Sequence, residues 1–368
     1  MKSTQSNQDI IRYIKDVGAL TLVDDALPYW QNLFRWQLEA EGSMPETSWR
    51  ALQYDWKQFI QFCNRYNRQP LPASPETIRL YLLSMAKSIE ENRTDEDEFN
   101  ISLITEELKR HQIDPGEPKK IATIERRAST LAKAHRAAQC MNPVDTETVN
   151  SALKKIRRIT DREPQQRDPI EHCHYVSMLT LEPDTYREHQ DLLITFIGFE
   201  TGLRRQRIAD IHLSDIEYRY EMTDEGKKLI GALIRVRKDK NQHETKYKAI
   251  TAATAHRLKG WLSKAEIHTG TIFRGITGRG NSKKCIQEQG ITGQSIQSAM
   301  QRCMKRIGMP SKFIGGHSTR IGGALFLREK EADLTKLIAY GDWKTPTMPL
   351  RYTKKMDAQQ STMANLLQ

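Results

Sequence analysis

The stretch GHSTRIGGALFL, residues 316–327, decides how the chain is read. It has the pattern of a helix start, with His317 and Arg320 three residues apart. At that spacing both side chains lie on one face. They stand beside free backbone N–H groups and the positive end of the helix dipole, a setting that suits an anion. The pair is common by chance, so its neighbours matter. Downstream, GDWKTPTMPLRYT (341–353) holds Trp343 and, nine residues later, Tyr352. Upstream, TGLRRQRIADIHLSDI (201–216) sets Arg204 and Arg205 behind an apolar helix and a glycine. Between them, residues 229–237 alternate with β-branched side chains and read as a strand, with 247–251 as its hairpin partner. The connecting LIRVRKDKN (233–241) carries Lys238 and Lys240.

Composition bounds the function. The 368 residues hold 57 Lys+Arg against 46 Asp+Glu, a net charge of +11, with a pI near 9.3. That length suits two domains of roughly 100–200 residues, with cores that need no metal or disulfide staple. A hydrophobic content of 38% excludes a collagen, a mucin stalk or a wholly disordered chain. No apolar run is long enough to span a bilayer, and the first residues lack an apolar signal core. A cytoplasmic protein is therefore expected. Its five cysteines (63, 140, 173, 285, 303) are widely spaced without a CxxC pair and read as free thiols in a reducing compartment. The basic excess points to a polyanionic partner, because cations that neutralise phosphates release counterions.

The first half reads as nearly all helix. Trp49, Leu52, Trp56, Phe59, Ile60 and Cys63 form one stripe behind a Thr47/Ser48 cap signal. Residues 77–86 make a second helix, and EENRTDEDE (90–98) reads as a solvated loop. After a second loop at 111–118, Ile121, Ile124, Ala128 and Leu131 face inward. Arg126, Arg127, Lys133 and Arg136 are left for another face. NSALKKIRRI (150–159) is a short basic helix. TDREPQQRD (160–168) is polar and Pro-broken, and it sets the boundary between domains 1–162 and 163–368. In the second domain, helices are expected at 192–203 and near 252–265, 292–307, 318–330 and 332–340.

Taken together, the order Arg, hairpin Lys, His-x-x-Arg, Trp, Tyr resembles the tyrosine recombinase (phage integrase) family, most closely its Cre-like branch. The similarity covers the second half. It continues more faintly in SWRALQYDWKQFIQFCNRYNRQPLP (48–72), PETIRLYLLSM (75–85) and residues 150–159. It implies a mainly α fold with a small β-sheet: a helical core-binding domain followed by a mixed α/β catalytic domain. It also implies site-specific DNA recombination through a 3′-phosphotyrosyl intermediate, without metal, ATP or other cofactor. Arg204 and Arg320 would clamp the scissile phosphate, and Tyr352 would be the nucleophile. Lys240 would be the hairpin lysine, His317 the box histidine and Trp343 the residue that most relatives replace with His. The resemblance further implies double-stranded DNA carrying specific sites, and a homotetramer on two such sites joined by exchange of the C-terminal helix. Met356, Met363, Leu366 and Leu367 give that tail a short apolar stripe.

The chemistry fits these roles. Guanidiniums stay charged and match phosphate oxygens bidentately. A phenol with a pKa of about 10 needs an acceptor such as His317, and the leaving 5′-oxygen needs an acid such as Lys240. The indole N–H of Trp343 is a donor. No P-loop, HExxH or paired-carboxylate nuclease motif occurs, and EHCH (171–174) lacks a second cluster with zinc spacing, so a helix surface explains it.

Three points depart from the pattern. Arg207 stands where relatives carry Asp or Glu, with Asp210 or Glu200 as carboxylates able to compensate. Lys238 and Lys246 rival Lys240, and Tyr340 rivals Tyr352. For DNA reading, Arg126, Arg127 and Lys133 on one helix and Arg302, Lys305 and Arg306 on another are the candidates. A non-catalytic DNA-binding protein and a type IB topoisomerase are the competing functions.

Overall fold

The computed structural model describes residues 7–19, 24–86, 94–160, 167–224, 226–237 and 245–359. The chain divides into two compact units, Met1–Gln165 and Gln166–Gln368.

Among the described residues the first unit is helical: α1 (Asn7–Asp16), α2 (Leu27–Ala40), α3 (Glu46–Arg65), α4 (Pro75–Leu83), α5 (Asp95–Arg110), α6 (Ile121–Ala137) and α7 (Glu147–Ile159). The α3 stripe behaves as its spacing predicts. Trp56, Phe59, Ile60 and Cys63 are fully buried and join Trp30, Leu33, Ile78, Ile124, Leu131 and Ile156 in one core. The start of α3 differs from expectation: Pro45 is its N-cap and Thr47 and Ser48 lie inside the first turn. The acidic run at 90–98 is also corrected. Asp95, Glu96, Asp97 and Glu98 form the first turn of α5, closed by a capping box between Thr94 and Asp97, and residues 90–93 lie outside the described residues. Four carboxylates at the positive end of a helix dipole favour that helix.

The second unit has α8 (His172–Leu179), α9 (Tyr186–Thr201) and α10 (Arg205–Ala209), then strands β1 (Ile216–Thr223), β2 (Gly226–Val236) and β3 (Lys246–Thr251). These form an antiparallel sheet in sequence order, with Ile234 opposite Lys248. Helix α11 (Ala252–Lys264) comes next, then a second ladder of β4 (Arg274–Ile276) and β5 (Ile286–Gly290), then α12 (Gly293–Arg306), α13 (Ser318–Glu329), α14 (Leu334–Gly341) and α15 (Thr347–Gln359). Mainly helical with a small sheet is thus the observed class. Helix α9 starts six residues before the apolar run at 192, because Thr185 and Glu188 make a capping box. Its nearly all-round apolar character puts it at the centre of the second core, with Phe196, Ile197, Trp261, Ile296 and Met300.

Candidate active site

Arg204, His317 and Trp343 sit at or just beyond the ends of elements, Arg320 lies in the first turn of α13, and Tyr352 lies within α15. Helix α9 stops at Gly202, whose φ of +62° is the left-handed C-cap geometry. A Cβ there would lie 2.7 Å from the Tyr340 carbonyl oxygen, so glycine is required twice over. The turn delivers Arg204 to the N-cap of α10, exposed and without a hydrogen-bond partner among the described residues. His317 is the exposed N-cap of α13. One turn on, Arg320 is only 2% exposed. Its Nη1 donates to the Gly202 carbonyl and its Nη2 to the Gly341 carbonyl at 2.7 Å. The guanidinium carbon stands 5.0 Å from the Trp343 ring centre, and its buried Nε has no partner. The Trp343 and Tyr352 rings are 5.9 Å apart at 58°. Five positions from three separate stretches of sequence therefore meet on the second unit.

Electrostatics set their protonation. Desolvation pushes the His317 pKa below the ordinary histidine value, and Arg320, Arg204 and Arg205 push it further. A neutral imidazole can accept a proton. Burial raises the Tyr352 phenol, and Arg320, Arg351 and Arg204 pull the other way. The phenol thus keeps its proton until a base removes it. Tyr340 is different. Its hydroxyl donates to the Phe199 carbonyl at 2.6 Å and faces the Thr319 carbonyl at 3.3 Å. Core packing explains it, since a Cβ on Gly323 would fall 1.9 Å from that oxygen.

Lys238 and Lys240 lie outside the described residues. Lys246 pairs with Asp342 at 3.1 Å. Arg207 lines a crevice with Asp210, Asp215, Arg235 and Arg237. Both carboxylates have other partners. Glu200 accepts from the Tyr175 and Thr254 hydroxyls and from the Thr251 N–H and hydroxyl. Asp210 accepts from Gln206. In 171–174, His172 stacks on Phe326 at 4.0 Å and His174 accepts the Glu171 N–H. Among the described residues, Glu76, Glu107 and His111 are the one set grouped closely enough to ligate a cation. Arg79 bridges both carboxylates and already supplies the positive charge.

The candidate DNA readers separate into two kinds. Arg127 is corrected to a core residue: it is 5% exposed and donates to the Tyr81 hydroxyl at 3.0 Å. Arg302 makes a two-point ion pair to buried Asp191 at 2.6 and 2.7 Å, tying α12 to α9. Arg306 donates to the Glu182 carbonyl at 3.1 Å. The sequence showed a basic face; it did not show that a carboxylate and a carbonyl, 111 and 124 positions upstream, close on two of these arginines. Arg126 is exposed while paired with Asp55. Lys133 and Lys305 are exposed, Lys133 over the Trp36 ring at 5.5 Å. Two features escaped the sequence reading. Strand β1 was betrayed by the alternation of Ile216, Tyr218, Tyr220 and Met222. Lys248 is buried beside the site, and with Ile250 it makes the buried side of the β3 alternation.

No family model matches the chain. It is 24% identical over 328 residues to an integrase/recombinase XerD homolog of Selenomonas ruminantium, covering 86% of this chain and 83% of the relative. It is 20% identical over 341 residues to the recombinase Cre of Escherichia phage P1, covering 88% of each. The solved Tn1549 transposon integrase, in complex with transposon right end DNA, shares the fold at a TM-score of 0.51 and 13% identity, over 91% of this chain and 98% of that one. Over most of its length the chain is thus similar in sequence to recombinases of the XerD and Cre kind, and it shares the fold of a solved transposon integrase. No helix among the described residues is long and apolar enough to cross a membrane.

Proposed function

We propose that this site-specific recombinase cuts and reseals double-stranded DNA through Tyr352. The observation that carries the reading is the contact chain Arg320–Trp343–Tyr352, with Arg204 and Arg320 near enough to act on the Tyr352 phenol and on His317. Arg204 and Arg320 bind the non-bridging oxygens of the scissile phosphate. The exposed Arg204 fork supplies donors directly, and the Arg320 guanidinium, held by the Gly202 and Gly341 carbonyls, supplies its charge from beneath. Loss of one such donor costs about 10²–10³ in rate. His317 takes the phenol proton as the Tyr352 oxygen attacks phosphorus. The P–O5′ bond breaks, and Lys240, between β2 and β3 in the sequence, protonates the leaving 5′-oxygen. Trp343 donates its indole N–H to a phosphate oxygen. The ester bond is conserved in the 3′-phosphotyrosyl link, so a second 5′-hydroxyl can reverse the step on another strand.

The first unit acts as the core-binding domain and the second as the catalytic domain. Exposed Arg126, Lys133 and Lys305 meet the DNA backbone. The working assembly is a homotetramer on two DNA sites, joined through the C-terminal tail, whose residues 360–368 lie outside the described residues. The competing non-catalytic reading draws on Arg207, which adds positive charge where relatives carry a carboxylate.

Covalent capture tests the proposal. The protein is incubated with a library of randomised nicked duplexes in EDTA and denatured, and the attached DNA is sequenced. Adducts from the wild type and none from Tyr352→Phe are expected. Reversible binding by both proteins without adducts would refute the catalytic reading.

A further inference from the structure

Lys248 lies on β3, 9% exposed, with its chain directed at the end of α14. Its Nζ donates to the Ala339 carbonyl at 2.6 Å and the Tyr340 carbonyl at 2.7 Å, and stands 3.5 Å from Asp342 Oδ1. An ammonium has three donors, and all three point at protein oxygens. The next carbonyl, that of Gly341, is taken by Arg320 Nη2. The last carbonyls of a helix lack intrahelical partners. Here two cations from two other elements cap three consecutive ones.

The cap bears on the chemistry through the residues just beyond the helix end. Asp342 takes the left-handed conformation at φ 50°, and Trp343 comes next. The segment has no slack: a Cβ on Gly341 would lie 2.4 Å from the Trp343 ring. Trp343 in turn packs on Arg320 and on Tyr352. A movement of residues 339–342 must therefore shift the Gly341 carbonyl that orients Arg320 and the ring that supports the nucleophile.

We propose that Lys248 is a positioning residue for strand cleavage, holding the end of α14 so that Arg320 and Trp343 stand correctly beside Tyr352. This rests on the recombinase reading above. Lys248 is not the acid for the leaving oxygen, because its three donors are already directed at Ala339, Tyr340 and Asp342. Burial pulls its pKa down, Asp342 opposes that, and the bonds keep the ammonium form useful where it is.

The test compares Lys248→Met and Lys248→Arg with the wild type. One arm needs no DNA: hydrogen exchange of the peptide spanning 334–343, beside thermal melting. Faster exchange in Lys248→Met, largely restored in Lys248→Arg, is expected. The other arm uses a duplex recovered by covalent capture and reads adduct formation at saturating DNA against Kd. A displacement of about 1 Å at a reacting group can cost about 10²-fold, so the rate should fall about 10²-fold in Lys248→Met, with Kd within about twofold. Lys248→Arg should recover most of it. Should Lys248→Met not fold, Lys248→Gln takes its place. Wild-type exchange in Lys248→Met, or wild-type cleavage, would overturn the proposal. A wild type that forms no adduct with any duplex would overturn the recombinase reading instead, and the exchange arm would still decide whether Lys248 holds the helix end.

Discussion

Cutting the pair between Arg302 and Asp191 should have unequal consequences on its two sides. The Asp191 side chain is 5% exposed and its carboxylate is held by the two Arg302 bonds, whereas the Arg302 side chain is 42% exposed. Arg302→Met leaves a buried, uncompensated carboxylate, which costs about 3–5 kcal/mol. Asp191→Asn keeps an acceptor and leaves a guanidinium that can turn to water, so about 1–2 kcal/mol is expected. The gap of about 2 kcal/mol is roughly thirtyfold in the unfolding constant. Burial already raises the Asp191 pKa against the pull of Arg302, and removing Arg302 raises it further. A carboxyl with a raised folded pKa destabilises when ionised and is relieved on protonation. The Arg302→Met deficit should therefore shrink as pH falls from about 8 to about 5. Urea titrations followed by hydrogen exchange of α9 and α12 peptides report on the second unit alone. Equal losses on the two sides, or a deficit independent of pH, would refute the reasoning. If Arg302 were a phosphate contact, its removal would spare stability and lower the salt dependence of DNA binding by about one.

The two tyrosines should behave oppositely. Tyr352→Phe abolishes covalent adducts with an unchanged melting temperature. Tyr340→Phe loses a buried bond to Phe199 worth about 1–2 kcal/mol and still forms adducts. The acid limb of the cleavage rate should lie below the ordinary histidine value of about 6.5, because His317 is held neutral by desolvation and by Arg320, Arg204 and Arg205. A pH–rate profile with a limb above about 7 that disappears in His317→Gln would contradict this. His135 is fully buried and its Nε2 accepts the Ala73 N–H at 3.0 Å. Burial lowers its pKa, so its stabilisation is present above about 6.5 and is lost as pH falls below, by at most about 1.4 kcal/mol per pH unit. Melting of the first unit at about pH 7.5 and about pH 5.5, with His135→Gln flattening the difference, checks it.

Local signals were readable where a single element carries them. The α3 stripe, the strand at 229–237 and the glycine stop before Arg204 each follow from spacing, β-branching or backbone freedom within a few residues. The acidic run at 90–98 was misread because its composition says solvent while its Thr94–Asp97 spacing says helix start. Strands β4 and β5, of three and five residues, are too short for periodicity to register.

By itself the sequence determined the helical and strand periodicities, the basic balance, and the order of Arg204, His317, Arg320, Trp343 and Tyr352. These are properties of the chain read in one dimension. Tertiary structure alone decided what each charge faces. Arg127, Arg302 and Arg306 look like their exposed neighbours in sequence, yet distant hydroxyl, carboxylate and carbonyl oxygens close on them, while Arg204 is left open. Lys248 is one lysine among many until β3 brings it against three oxygens of α14 and the residue after it. Hydrogen bonding and desolvation depend on distance in space, and the chain sets that distance only by folding.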